Sequence, residues 1–124
     1  MVGSQSLKDS VKETGFKVVN KSDKNPGIVV NGIDAEITQN DLAEMCYAIS
    51  KGAKWISTNN DYTFPTEKGL APGNGSFNAL ISSITGKSPV LMGKPEPFMF
   101  QQAAKIFDAK NPLVVGDRLD TDIQ

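Results

Sequence analysis

The sequence predicts an α/β fold with a mostly parallel sheet and flanking helices. Short runs of β-branched residues alternate along the chain with segments whose apolar residues repeat at helical spacing. The segments between successive strands are long enough for right-handed crossovers, which place neighbouring strands parallel. A third observation is that polar residues follow two of these strands directly, where ligands bind in such sheets.

The predicted strands cover residues 16–19, 27–31, 54–58, 89–92 and 113–115. Helices are expected around four apolar faces, which begin at Leu7, Leu42, Phe77 and Phe100. Ser6 with Asp9 resembles a capping box for the first helix, and Thr38 with Asp41 caps the second. Between the third strand and the third helix, residues 59–75 form a long stretch rich in Asn, Pro and Gly. At this length, a loop is expected to be functional.

Composition excludes several classes of function. The net charge of −1 and the absence of a basic run argue against nucleic-acid binding. No apolar run approaches the roughly 20 residues that span a membrane, and no signal region is present, so we expect a cytoplasmic protein. Without histidine, the chain cannot build Ser-His or Cys-His catalysis or a His-liganded zinc site. Cys46 lies in an apolar helical pattern and is expected to be a core residue.

The acidic segment 116–122 is the strongest local signal for chemistry. Asp117, Asp120 and Asp122 follow an apolar strand and Gly116. Closely spaced carboxylates repel one another unless a cation neutralises them, and Mg²⁺ prefers oxygen ligands of this kind. The alternative is an acidic turn that caps a following helix. Spacing alone leaves both interpretations open.

Lys94, in Gly93-Lys94-Pro95, also follows an apolar strand. A lysine there could neutralise a phosphate and an aspartate, or it could be a solvated surface residue. Two weaker motifs are set aside. Residues 86–88 copy the end of a P-loop but lack its first glycine, and Gly73-x-Gly75 is expected to be a plain turn into a helix.

Five segments, in this order along the chain, resemble the class IIA branch of the haloacid dehalogenase superfamily. This branch contains the 4-nitrophenylphosphatase-like and sugar-phosphatase-like hydrolases. The segments are residues 57–61 (Ser-Thr-Asn-Asn-Asp), 64–69 (Phe-Pro-Thr-Glu-Lys-Gly), 70–75 (Leu-Ala-Pro-Gly-Asn-Gly), 92–97 (Met-Gly-Lys-Pro-Glu-Pro) and 114–123 (Val-Val-Gly-Asp-Arg-Leu-Asp-Thr-Asp-Ile). The resemblance covers nearly the whole chain.

This resemblance implies a Mg²⁺-dependent phosphatase that hydrolyses small phosphorylated metabolites. Lys94 would neutralise the nucleophile and the phosphoryl oxygens, Asp117 would ligate Mg²⁺, and Asp122 would hold the metal's water or orient Lys94. The residues that would select the leaving group are Thr58, Asn59, Asn60 and Asp61. The physiological substrate is not readable from the sequence.

The resemblance also implies two parts, an N-terminally incomplete α/β cap over residues 1–83 and a partial Rossmann-like core over residues 84–124 that carries motifs III and IV. The nucleophile motif of the family, Asp-x-Asp-Gly-Thr, does not occur in the 124 residues. We therefore expect a fragment that is inactive by itself.

Two further hypotheses stay open. One is a non-catalytic binding module that self-associates through exposed core strands, giving a homo-oligomer. The other is a flavodoxin-like or receiver-like domain with Asp117 as phosphoacceptor or metal ligand, although the acidic pair that a receiver needs near its first strand is absent.

Overall fold

A computed structural model describes residues 1–116. Its helices are α1 (Gln5–Glu13), α2 (Gln39–Ser50), α3 (Asn74–Thr85) and α4 (Phe98–Ile106), with a short 3₁₀ turn at Ser22–Lys24. Its strands are β1 (Ile28–Asn31), β2 (Lys54–Ser57), β3 (Thr63–Thr66), β4 (Gly69–Pro72) and β5 (Val90–Leu91). Strands and helices alternate except at β2, β3 and β4, which follow one another directly, and the predicted fold class is confirmed.

The main sheet has the order β1-β2-β5, and both strand pairs are parallel. Val2 adds an isolated parallel bridge beside Asn31 of β1. Because β5 pairs with β2, with Ile56 opposite Val90, the sheet crosses the predicted boundary at residue 83. The separate hairpin β3-β4 is antiparallel.

The core lies between one face of the sheet and the helices α2 and α3. Side chains from alternate strand positions point to this face, because strand residues alternate sides. Eight buried apolar residues form the core cluster: Val2, Val29, Met45, Cys46, Ala48, Ile49, Trp55 and Ile81. On the opposite face, Ile28, Val30 and Ile56 border a cavity of about 830 Å³ that is also lined by α1.

The helix ends follow local capping chemistry. Thr38 Oγ1 accepts a hydrogen bond from the Asp41 amide at 3.2 Å, and Asp41 Oδ2 accepts one from the Thr38 amide at 3.0 Å. This capping box confirms the predicted start of α2. The predicted cap of α1 at Ser6 is wrong. Ser4 is the N-cap, and its Oγ accepts from the Leu7 amide at 3.4 Å.

Two predicted strands are absent from the described part of the chain. Residues 16–19 and 113–115 join no ladder there, and Phe16, Leu113 and Val115 are 60%, 88% and 86% exposed. A β-branched run becomes a strand only when a neighbouring strand offers hydrogen bonds. The prediction of one long loop over residues 59–75 is also wrong. This stretch contains the hairpin β3-β4 and the start of α3. Within residues 1–116, no helix is long and apolar enough to cross a membrane.

Candidate functional site at the carboxyl edge of the sheet

The carboxyl ends of β1, β2 and β5 meet at one edge of the sheet. β1 ends at Asn31, β2 at Ser57 and β5 at Leu91, and backbone bonds carry the parallel pairing slightly beyond them. The Thr58 amide donates to the Asn31 carbonyl at 3.0 Å, and the Met92 amide donates to the Ser57 carbonyl at 3.0 Å. The segments that leave β2 and β5 therefore start side by side. They are residues 58–61, called the 58–61 loop, and the turn at residues 93–96.

Gly93 allows these two segments to touch. A Cβ at position 93 would collide with the carbonyl oxygen of Thr58, so only glycine fits at this point. The turn that follows is closed by a 3.0 Å bond from the Glu96 amide to the Gly93 carbonyl, and the Lys94–Pro95 peptide is cis. Lys94 thus starts from a backbone position that is in contact with the 58–61 loop.

Two more glycines bring the start of α3 against the same loop. Gly73 is the N-cap of α3, and a Cβ there would collide with the Asp61 carbonyl. A Cβ on Gly75 would collide with the Asn60 carbonyl. The interpretation of Gly73-x-Gly75 as a turn into a helix is confirmed, and its physical cause is the close approach of two backbones. The Gly75 amide donates to the Asp61 carbonyl at 2.8 Å, and the Gly73 amide donates to the Tyr62 carbonyl at 2.9 Å.

Buried side chains hold the peptide of Asn59. Its carbonyl oxygen accepts hydrogen bonds from Asn74 Nδ2 at 2.9 Å, from Asn78 Nδ2 at 3.1 Å and from Ser57 Oγ at 3.1 Å. Asn78 Nδ2 also donates to Asn60 Oδ1 at 3.1 Å. Buried amides with satisfied hydrogen bonds restrict a loop strongly, because breaking one bond leaves a buried polar group without a partner.

The sequence reasoning missed these anchoring residues. A signal for them existed, since Asn74 and Asn78 share with Ile81 a helical face at the spacing i, i+4, i+7. Amide side chains on an apolar face are unusual and need partners, which here are supplied by the end of β2.

The side chains of the loop also contact one another. Asn59 Nδ2 donates to Asp61 Oδ2 at 3.1 Å. The Asn59 Oδ1 atom is buried and accepts no hydrogen bond from the residues that the structure describes. A buried acceptor without a donor is costly, so this atom is a candidate contact for a bound donor group.

The structure therefore brings five of the predicted site residues to one edge of the sheet: Thr58, Asn59, Asn60, Asp61 and Lys94. Asp117 and Asp122 lie outside the described residues. Among residues 1–116, no group of three or more Asp, Glu, Cys or His side chains could hold a metal ion. The predicted roles of all these residues stay predictions.

Cys46 does not belong to the site. It is buried in α2 within the core cluster, as predicted, and burial raises the pKa of its thiol. A nucleophilic cysteine requires a lowered pKa, so its environment is the reverse of a catalytic one.

Three comparisons relate the chain to known proteins. Residues 91–124 match the family model described as HAD-hydrolase-like. A D-glycerol 3-phosphate phosphatase from Mycobacterium tuberculosis is 43% identical over 124 residues, which are 100% of this chain and 35% of that protein. The chain is similar to HAD-like hydrolases over its full length. The predicted family resemblance is thereby confirmed.

Solved structures of phosphatases superpose closely on the chain. The M. tuberculosis glycerol phosphate phosphatase in complex with magnesium matches with a TM-score of 0.92 at 42% identity, covering 98% of this chain and 38% of that one. A p-nitrophenyl phosphatase from Bacillus subtilis, described as putative, matches with a TM-score of 0.86 at 40% identity, covering 98% and 48%. The chain thus spans between about a third and a half of the length of these relatives.

Proposed function

We propose that the chain is part of a Mg²⁺-dependent phosphatase that hydrolyses small phosphomonoesters. The observation that supports this most directly is the contact between the 58–61 loop and the turn carrying Lys94, at the edge where parallel sheets bind ligands. The relatives named above are phosphatases, and one was solved with magnesium. Within the proposal, Thr58, Asn59, Asn60 and Asp61 select the leaving group.

Lys94 is proposed as the cation of the reaction. Phosphoryl transfer brings an anionic nucleophile against an anionic phosphoryl group, so a lysine ammonium beside them offsets their repulsion and lowers the barrier. Asp122 is proposed to orient Lys94 or to hold a water of the metal. Both roles rest on the family resemblance and on the position of Lys94 three residues after the end of β5.

Mg²⁺ is proposed to bind through Asp117 and Asp122. The donor set fits this ion, because carboxylate oxygens are its preferred protein ligands and it uses only one or two of them. The ion would supply positive charge to the phosphoryl oxygens. Residues 1–116 offer no competing carboxylate cluster, so the proposal depends on the acidic segment alone.

We further propose that residues 1–83 act as a substrate-specificity cap and residues 84–124 as part of the catalytic core. The 124 residues contain no Asp-x-Asp-Gly-Thr sequence. Since loss of the nucleophile removes most of the rate in covalent catalysis, this stretch by itself should not turn over substrate. A cytoplasmic location also stays a prediction, which subcellular fractionation would test.

The test uses the 124-residue chain with p-nitrophenyl phosphate and Mg²⁺. We expect no release of phosphate above the rate without protein. In parallel, Mg²⁺ and inorganic phosphate are titrated while NMR signals of Asp117 and Lys94 are followed. Weak binding is expected, and it should be lost in Asp117→Asn for the metal and in Lys94→Ala for phosphate. Lys87→Ala, at an exposed position after α3, is the matched control and should leave phosphate binding unchanged.

Turnover at the rate of ordinary phosphatases would contradict the proposed inactivity of the 124 residues. Phosphate binding that survives Lys94→Ala but not Lys87→Ala would contradict the assigned site.

A non-catalytic, self-associating module is the second candidate, and one observation favours it. Large apolar side chains are exposed near the end of the described chain, with Phe107 80%, Leu113 88% and Val115 86% accessible. Exposed apolar surface of this kind is a common basis for association. Light scattering should then show a dimer or larger species that Leu113→Ser with Val115→Ser converts to monomer. A monomer in the unmodified chain would rule this candidate out.

A further inference from the structure

A chain of buried hydrogen bonds begins at Trp55 and ends at the 58–61 loop. Trp55 Nε1 donates to Asn31 Oδ1 at 2.7 Å. An indole nitrogen can only donate, so it determines which end of the Asn31 amide faces it. The Asn31 Nδ2 group must then point the other way, where it donates to Asn74 Oδ1 at 2.8 Å and to Asn78 Oδ1 at 2.9 Å.

The other end of this chain is determined by the backbone. Because Asn31 supplies a donor to each of their oxygens, Asn74 and Asn78 turn their Nδ2 groups toward the loop. Both Nδ2 groups donate to the Asn59 carbonyl, which can only accept, and to Ser57 Oγ at 2.8 and 3.0 Å. An obligate donor at one end and an obligate acceptor at the other leave one orientation for all three amides.

The side chains of this network are almost completely buried. Asn31, Asn74, Asn78 and Ser57 are between 0% and 3% exposed, and Trp55 is 4% exposed. Turning any one amide around would place two donors or two acceptors face to face where water cannot compensate. The network therefore has a single satisfied state, and the position of the Asn59 peptide is part of that state.

We propose that Asn31, Asn74 and Asn78, oriented by Trp55, are positioning residues for the 58–61 loop of the candidate site. Their role is to present the loop in one conformation to a phosphorylated ligand, so this inference rests on the proposed function. A different role, general stabilisation of the core, would affect the whole molecule equally. The two roles differ in where the effect of a substitution appears.

The first test is hydrogen exchange in two variants. Asn31→Asp keeps the size of the side chain and an acceptor for Trp55 but removes both donors to Asn74 and Asn78. Trp55→Phe removes the indole donor. In both, the Gly75 amide, which bonds to the Asp61 carbonyl of the loop, should exchange roughly ten-fold faster or more relative to amides in the middle of α2. Ile49→Val, which removes a methylene from the core without touching the network, is the control and should raise exchange in both regions alike.

The indole proton reports separately on whether the first bond of the network is kept in a variant. Trp55 is the only tryptophan, so one indole signal reports on the first bond of the network. This signal should be retained in Asn31→Asp, while the Gly75 amide loses protection. Equal changes in the loop and in α2 would overturn the proposal, as would an unchanged loop.

If a variant fails to fold, the unmodified chain still decides the question. The Nδ2 protons of Asn74 and Asn78 should exchange as slowly as the amides of α2, and rapid exchange of these side-chain protons would overturn the network. Titration with inorganic phosphate then separates the two proposals. No response in the unmodified chain would contradict the proposed function and leave the loop result intact. Equal affinity of Asn31→Asp and the unmodified chain for p-nitrophenyl phosphate, which unlike inorganic phosphate carries a leaving group for the loop to contact, would overturn the positioning role.

Discussion

The amide of Gly75 donates a 2.8 Å hydrogen bond to the carbonyl oxygen of Asp61, which joins the first turn of α3 to the 58–61 loop. The bond forms because position 75 has no side chain, and a Cβ there would meet the neighbouring Asn60 carbonyl. The loop geometry thus depends on a glycine that follows it by 14 residues in the sequence.

Gly75→Ala should therefore destabilise the protein and displace the 58–61 loop. Forcing a methyl group into a filled space costs about 1–3 kcal/mol in unfolding free energy. Urea denaturation measures this cost. Gly27→Ala is the control, because nothing lies within 4 Å of a Cβ at position 27, and it should change the unfolding free energy far less. Equal effects of the two substitutions would contradict the close approach at position 75.

The capping box of α2 predicts a second stability effect. Thr38→Ala removes the hydroxyl that accepts from the Asp41 amide, leaving a helix N–H without its partner. We expect a loss of about 1 kcal/mol, measured by thermal or urea unfolding. Ser10→Ala, at an exposed position of α1, should change the unfolding free energy by much less. A loss in Ser10→Ala as large as that in Thr38→Ala would count against the capping assignment.

The capping box of α2 also predicts that the free energy of unfolding decreases in acid. The hydrogen bond from the Thr38 hydroxyl lowers the pKa of Asp41. A group whose folded pKa is depressed contributes stability above its unfolded pKa, about 3.9, and loses it as pH falls through the folded pKa. The contribution of Asp41 is thus present at neutral pH and disappears below about pH 4. Asp41→Asn should flatten the dependence of the unfolding free energy on pH in this range, whereas an unchanged slope would exclude Asp41 as a source.

Cys46 should react slowly with thiol reagents. Burial in the core restricts access and raises the pKa of the thiol, so little thiolate is present at neutral pH. The rate of modification by an aromatic disulfide should rise steeply across the urea unfolding transition. As a control, Cys46→Ala should abolish the signal. Rapid modification of the folded protein would place the thiol outside the core.

Local chemistry was sufficient to predict much of this fold. The capping box of α2 involves residues three positions apart, and the apolar residues of α3 repeat at helical spacing, so both helices are visible in short windows of sequence. The same holds for β1 and β2, whose β-branched and aromatic residues mark them as buried strands. The expected parallel sheet also predicted a ligand-binding position beyond the end of β2, where residues 58–61 lie.

Tertiary structure decided the rest, because it depends on partners far away in the chain. Residues 16–19 and 113–115 have strand composition but no neighbouring strand within the described residues. The hairpin β3-β4 formed inside a stretch whose Pro and Gly content suggested a loop. Most clearly, Asn31 bonds to Asn74 and Asn78 across 43 and 47 residues. Polar residues acquire such roles only after folding excludes water around them, since burial is what makes each unmade hydrogen bond costly.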